Sequence, residues 1–165
     1  MTATTAPPGT SVLRPNRAGN RAGQVSELTV ILPLKPGGAD RLRALVAGRD
    51  AELDAQVATV GTLHDLRWIM LDDDTRLLFA TTYDGDWDAY IDDFSTKIPD
   101  LLDEVFGNAV GYPGITSPTI KDYIVEHQVT ATSWYSAYPN LRVTDIHRNQ
   151  RIVAALDQLL DAVNG

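Results

Sequence analysis

The sequence predicts an α+β domain: an antiparallel sheet with helices on one of its faces. Short β-rich runs alternate along the chain with segments of helical periodicity. Two of those runs meet across a tight turn of aspartates. The resulting order, β-α-β-β-α-(α)-β-α, opens with the split βαβ, or ferredoxin-like βαββαβ, arrangement and adds extra helices. No internal repeat is present, so one such unit is expected.

Residues 1–26 are rich in Ala, Thr, Pro, Gly, Asn and Arg and hold hardly any large apolar side chain, which predicts a disordered N-terminal arm. Residues 27–165 are expected to form a single domain with a C-terminal helix. Leu28 to Lys35 reads as a strand, stopped by Pro36-Gly37-Gly38. From Asp40 to about Thr59, Leu42, Leu45, Val46, Leu53, Val57 and Val60 recur at helical spacing, with Gly48 marking a bend and Gly61 a stop. Thr62 to Leu71 and Arg76 to Tyr83 are the hairpin strands. Asp86 suits an N-cap, and Trp87, Tyr90, Ile91 and Phe94 follow at i, i+3, i+4, i+7 as one buried face. Pro99 opens a further helical segment that ends at Gly107, and Ser117-Pro118 opens another. Thr130 to Tyr138 reads as the last strand. Thr144 caps a final helix whose Ile152, Val153, Leu156, Leu159, Leu160 and Val163 form one stripe.

The 165 residues suffice for a proper core without staples, and the absence of cysteine removes disulfides, thiolate nucleophiles and Cys-based metal sites. The net charge of −8 argues against nucleic-acid binding by the folded part. Arg14, Arg17 and Arg21 make the arm basic, most simply a tail that is solvated or lies on its own acidic domain. No apolar run is long enough for a membrane span and no leader-like segment is seen, so a cytoplasmic protein is expected.

The hairpin carries the candidate chemistry. A two-residue Asp73-Asp74 turn sets Met70 opposite Leu77, Trp68 opposite Phe79 and His64 opposite Tyr83 on one face. Ile69 then faces Leu78, Arg67 faces Ala80 and Asp65 faces Thr82 on the other. The first face is bulky and apolar and suits packing under helices; the second is smaller and charged and suits a pocket wall. Arg67 fits an anchor for an anionic or enolate-like ligand, or a structural pair with Asp65. His64 fits a general base, or a core histidine bonded to Tyr83. Trp134 and Tyr138 on one side of the last strand, and Tyr135 on the other, fit an aromatic wall for a planar ligand or an interface. His127 shares a helix face with Ile120, Tyr123 and Ile124. Asp84, Asp86 and Asp88 have the opening spacing of a calcium loop, but Ala89 and Ser95 occupy its glycine and glutamate positions, so no metal site is expected.

The layout, with Leu63-His64 to Arg67-Trp68, Tyr83-Asp84-Gly85 and Tyr135-Ser136-Ala137-Tyr138-Pro139, resembles the dimeric α+β barrel superfamily over residues 27–140. It is particularly similar to small bacterial members of undefined role that share these three motifs. The resemblance implies a homodimer, which apolar residues on both faces of the strands also favour. It implies a small-molecule-binding, cofactor-free enzyme of cyclase, isomerase or monooxygenase type, acting on a planar apolar or aromatic substrate between sheet and helices. Arg67, His64 and Tyr135 would then be catalytic, and Asp65, Thr82, Tyr83, Trp134 and Tyr138 would bind substrate. The peroxidase branch implies an alternative, haem on His127, although those relatives generally carry two ferredoxin-like units per chain. A non-catalytic binding or assembly module is the third expectation.

Overall fold

The structure, a computed structural model, describes residues 19–164. The elements run β1 (Arg21–Ala22), β2 (Val25–Pro33), α1 (Gly38–Val46), α2 (Asp50–Ala58), β3 (Leu63–Leu71), β4 (Arg76–Asp84), α3 (Trp87–Lys97), α4 (Pro99–Phe106), α5 (Ile120–His127) and α6 (Val143–Asn164). The strands form one four-stranded antiparallel sheet in the order β1-β2-β4-β3. The expected α+β class is therefore observed. Among the described residues no helix is long and apolar enough to cross a membrane.

Strand alternation builds the core. Leu28, Val30 and Leu32 of β2, Leu77, Phe79 and Tyr83 of β4, and Leu66, Trp68 and Met70 of β3 point to one face. Onto it pack Leu42 and Leu45 of α1, Leu53 of α2, the predicted Trp87, Tyr90, Ile91 and Phe94 face of α3, and Leu101, Leu102 and Val105 of α4. Pro99 stands at the first turn of α4, where its missing N–H costs nothing. Gly48, at φ 73°, breaks the first helical stretch into α1 and α2.

The hairpin register is as expected from Asp65–Thr82 to Met70–Leu77. Asp72, Asp73 and Asp74 have φ of 50°, 50° and 67°, a left-handed run that includes both central positions of the expected turn, and Thr75 N donates to Asp72 O at 3.2 Å. Left-handed backbone costs an L-residue about 1 kcal/mol, less for Asp, and glycine avoids it while loosening the unfolded chain. Asp73→Gly is expected to raise stability by about 0.5 kcal/mol, read as a higher urea midpoint; a lower midpoint would contradict this account of the turn.

At the far end of the hairpin the register slips. Leu63, not His64, pairs with Tyr83, so His64 is the extra residue of a β-bulge. The bulge is braced through the sheet: Thr81 Oγ1 donates to Asp65 O at 3.0 Å and in turn takes the Tyr90 hydroxyl proton at 2.7 Å.

Three expectations need correction. Thr130 to Tyr138 forms no strand. Beside β2, where a last strand was expected, β1 covers Val25 and Ser26, a single bridge joins Val30 to Gln128, and another joins Leu34 to Ala109. The edge of β2 is thus shared by three short pieces, none a full template for another chain. The disorder expected of residues 1–26 falls, up to residue 18, outside the described residues, but residues 19–26 are built into the fold: Asn20 is fully buried, donates Nδ2–H to Ala131 O at 2.7 Å and accepts from Glu27 N at 2.9 Å. Finally, Asp86 stands at the N-cap of α3 as expected, but its side chain makes no capping bond; it pairs with Arg21, which places that basic residue on the acidic domain.

Candidate functional site

The face of the sheet away from the core bears Val25 and Glu27 of β2, Ala80, Thr82 and Asp84 of β4, and Asp65, Arg67 and Ile69 of β3. Instead of adding a strand, residues 131–146 fold over part of this face. Two backbone anchors hold them there: Gln24 N donates to Pro139 O at 2.7 Å, and Val143 N donates to Asp84 Oδ2 at 2.8 Å. Between cover and sheet lies a cleft of about 430 Å³.

The bulge decides what enters it. By pushing His64 out of register, it turns the ring from the core face to the cleft, where Nε2 meets Asp84 Oδ1 at 2.8 Å. Asp84 is only 7% exposed in its side chain. A carboxylate only accepts, so in the neutral ring Nε2 carries the hydrogen and Nδ1 is the basic nitrogen. The other Asp84 oxygen holds the first N–H of α6, in place of the expected Thr144 cap. Asp84 is thus one buried group orienting both a candidate base and a helix. The strand expected from the sequence stopped at Tyr83; carried one residue further, its alternation puts Asp84 on the open face with Thr82, whereas the bulge that brings His64 to it leaves no mark in the sequence.

Arg67 lies on the same wall and donates from Nη1 to Asp65 Oδ1 at 2.8 Å. The Arg67 side chain remains 59% exposed. An exposed pair of this kind is worth at most about 1 kcal/mol, so an incoming anion can compete for the guanidinium. Thr82 and Val25 floor the cleft, while Trp134, Tyr135 and Tyr138 form its opposite rim. The strand reading set Tyr135 apart from Trp134 and Tyr138; without a strand there is no alternation, and all three border one space. Tyr135 and Tyr138 are 76% and 70% exposed, so most of that rim faces outward.

Two candidates fall elsewhere. Tyr83 is fully buried, its ring stacked on Tyr90 with centroids 3.7 Å apart, and burial pushes its phenol far above the usual range. It is core, not cleft. His127 lines neither the cleft nor the core void; its ring packs on Tyr123 and Nδ1 meets Tyr123 O at 2.9 Å. The three aspartates of the calcium spacing diverge as well: Asp84 to His64, Asp86 to Arg21 and Asp88 to Lys121.

The space between sheet and helices, where the resemblance implied a substrate, is small. Between sheet and helices the structure leaves an apolar void of about 40 Å³, room for little more than a water-sized group. A second groove of about 450 Å³ runs between β3 and α2 and shares His64, Asp65 and Arg67 with the cleft, but it lacks the aromatic rim. Fold and site together define an α+β protein with a polar, aromatic-rimmed cleft on the open face of an antiparallel sheet. No family model matches the chain. No curated protein matches it significantly.

Proposed function

We propose that this chain is a cytoplasmic, ferredoxin-like protein of the dimeric α+β barrel kind that binds a planar, partly apolar small molecule in the open-face cleft. It acts there as a cofactor-free enzyme of cyclase, isomerase or monooxygenase type. One observation carries the reading: a histidine oriented by a buried carboxylate shares a wall with an exposed arginine, opposite three aromatic side chains. His64 Nδ1 takes a proton from an acidic C–H or O–H of the substrate, and Asp84 stabilises the imidazolium. Arg67 leaves Asp65 to hold the resulting enolate or phenolate, and Trp134, Tyr135 and Tyr138 stack on the planar body and restrict water. Tyr135 donates its own phenolic proton to the enolate, and the His64 imidazolium gives its proton back to the tyrosinate through solvent, which resets both groups.

The test uses 2-naphthoate, a planar anion, as probe and tryptophan fluorescence as readout. Wild-type chain is expected to bind it, and Arg67→Ala to bind about tenfold more weakly, the loss of one charge-assisted contact of about 1.5 kcal/mol. Equal affinities in the two proteins would remove Arg67 from the site.

A further inference from the structure

The outer strand of the sheet is less well covered than its neighbours. On the core face, Leu28, Val30 and Leu32 of β2 and Leu77, Phe79 and Tyr83 of β4 are at most 4% exposed, whereas Leu63, Leu66 and Trp68 of β3 are only half-buried. The side chains of α2 account for the difference. Leu53 is buried, but beyond it α2 offers β3 only the half-buried Val57 and the exposed Ala58 as apolar cover. Short side chains there leave the space beside Leu63, Leu66 and Trp68 unfilled, and the result is the groove of about 450 Å³. Its volume and mostly apolar walls are those of a small-molecule site.

We propose that this groove receives an aliphatic chain carried by the same ligand whose planar head occupies the open-face cleft. Continuity selects this occupant: His64, Asp65 and Arg67 border both spaces. A chain that leaves the head beside these residues meets Leu66, Trp68, Val57 and Ala58 next, and covers apolar surface that is otherwise wet. The same geometry fixes where the chain is attached. Arg67, which holds the acidic group in the cleft, also borders the groove, while the rim of Trp134, Tyr135 and Tyr138 belongs to the cleft alone. The chain therefore leaves the planar body next to its acidic group, not from the far edge under the rim. Its end is uncharged, because Asp54, the charged side chain that α2 contributes to the wall, repels a second carboxylate. The substrate class is thus an amphiphile: a planar, acidic carbonyl or phenol compound with an aliphatic chain on the carbon beside the acidic group. This inference rests on the cleft being the working site.

Calorimetric titration of the full chain with three probes tests this: 2-naphthoate, 3-hexyloxy-2-naphthoate, and the 6-hexyloxy isomer, which carries the same apolar surface at the wrong position. Burying one methylene tightens binding about fourfold. The 3-hexyloxy compound, with part of its chain in the groove, is therefore expected to bind at least about tenfold more tightly than 2-naphthoate, and the 6-hexyloxy isomer to gain less than about threefold. Ala58→Phe, at an exposed helix position, fills the groove, and Val57→Asp puts a carboxylate on its wall. Each is expected to bring the 3-hexyloxy compound to within about threefold of 2-naphthoate while leaving the affinity for 2-naphthoate itself unchanged. Equal gains from the two isomers, or a gain that survives both substitutions, would overturn the proposal. Equal affinities for all three probes would also overturn it; the cleft would stand, and the groove would be left to an extended peptide or a second copy on the β3 edge. Binding of none of the three discredits the cleft and the chain site together.

Discussion

Asp84→Ala is expected to lower stability by about 2–3 kcal/mol and to slow proton transfer at His64 about 100-fold. The stability loss has two parts. The substitution removes the hydrogen bond to His64 Nε2, and it removes the acceptor that holds Val143 N at the start of α6. Each is a bond to an ionised group in a nearly buried position, where neither partner has ready access to water. The rate loss has another origin. Without the carboxylate the ring is free to rotate and to take either tautomer, so the basic nitrogen no longer faces the cleft in every molecule. Asp84→Asn separates these effects. Its amide oxygen can still accept from Val143, so the cost in stability falls to about 1 kcal/mol. Its NH₂ group, turned to His64, donates where the carboxylate accepted. That reverses the tautomer and blocks the base. Deuterium exchange at the acidic carbon of a cyclic 1,3-diketone gives the rate, and urea unfolding gives the stability. An Asp84→Asn protein that exchanges as fast as wild type would show that His64 is not the base.

Much of this arrangement is legible in the sequence, and the illegible part has a physical pattern. The hairpin register follows from a two-residue turn and the period of a strand, both local, and Arg67, Asp65 and Thr82 stand where those rules put them. The bulge at His64 leaves no local mark, since neither glycine nor proline is involved; it is held by Thr81 and Tyr90 from elsewhere in the fold. Residues 130–138 have the composition of a strand because aromatic and β-branched side chains suit a cleft wall as well as a pleat. What decides between the two is the long-range tether from Gln24 to Pro139. Residues 19–26 lack the apolar content that signals order, yet hydrogen bonding orders them: Asn20 N donates to Glu27 Oε1 and Glu27 N donates to Asn20 O, both residues being buried. The α6 stripe is plain in the sequence, but periodicity reports only that a face is apolar and says nothing of what lies against it.

The same tether makes Gly23 the position of largest expected effect on the fold. Gly23 and Gln24 form the two-residue turn between β1 and β2, with Gly23 at φ 58°, the left-handed value that the first position of a type II′ turn requires. A Cβ here would meet the Asn140 side-chain oxygen and lie 2.5 Å from Pro139 O, a backbone atom that cannot rotate away. Pro139 O is also the acceptor for Gln24 N, while the Gln24 side chain takes a hydrogen bond from Arg142 at 2.6 Å and its carbonyl takes one from Gly85 N at 2.8 Å. One turn thus joins β1, the end of β4 and the segment that roofs the cleft. Gly23→Ala is expected to cost about 3 kcal/mol, roughly 1 from the left-handed backbone and the rest from displacing residues 139–142. Because Trp134, Tyr135 and Tyr138 hang from that segment, the variant is also expected to lose affinity for 2-naphthoate, although it touches no cleft residue. Gln24→Ala is the control: it removes the Arg142 bond but leaves the turn and both backbone anchors, and should cost no more than about 1 kcal/mol with binding retained. If Gly23→Ala unfolds within about 0.5 kcal/mol of wild type, the range of an inert surface substitution, then the close packing of the roof on this turn does not hold the cleft together, and the aromatic rim must be positioned by its own contacts.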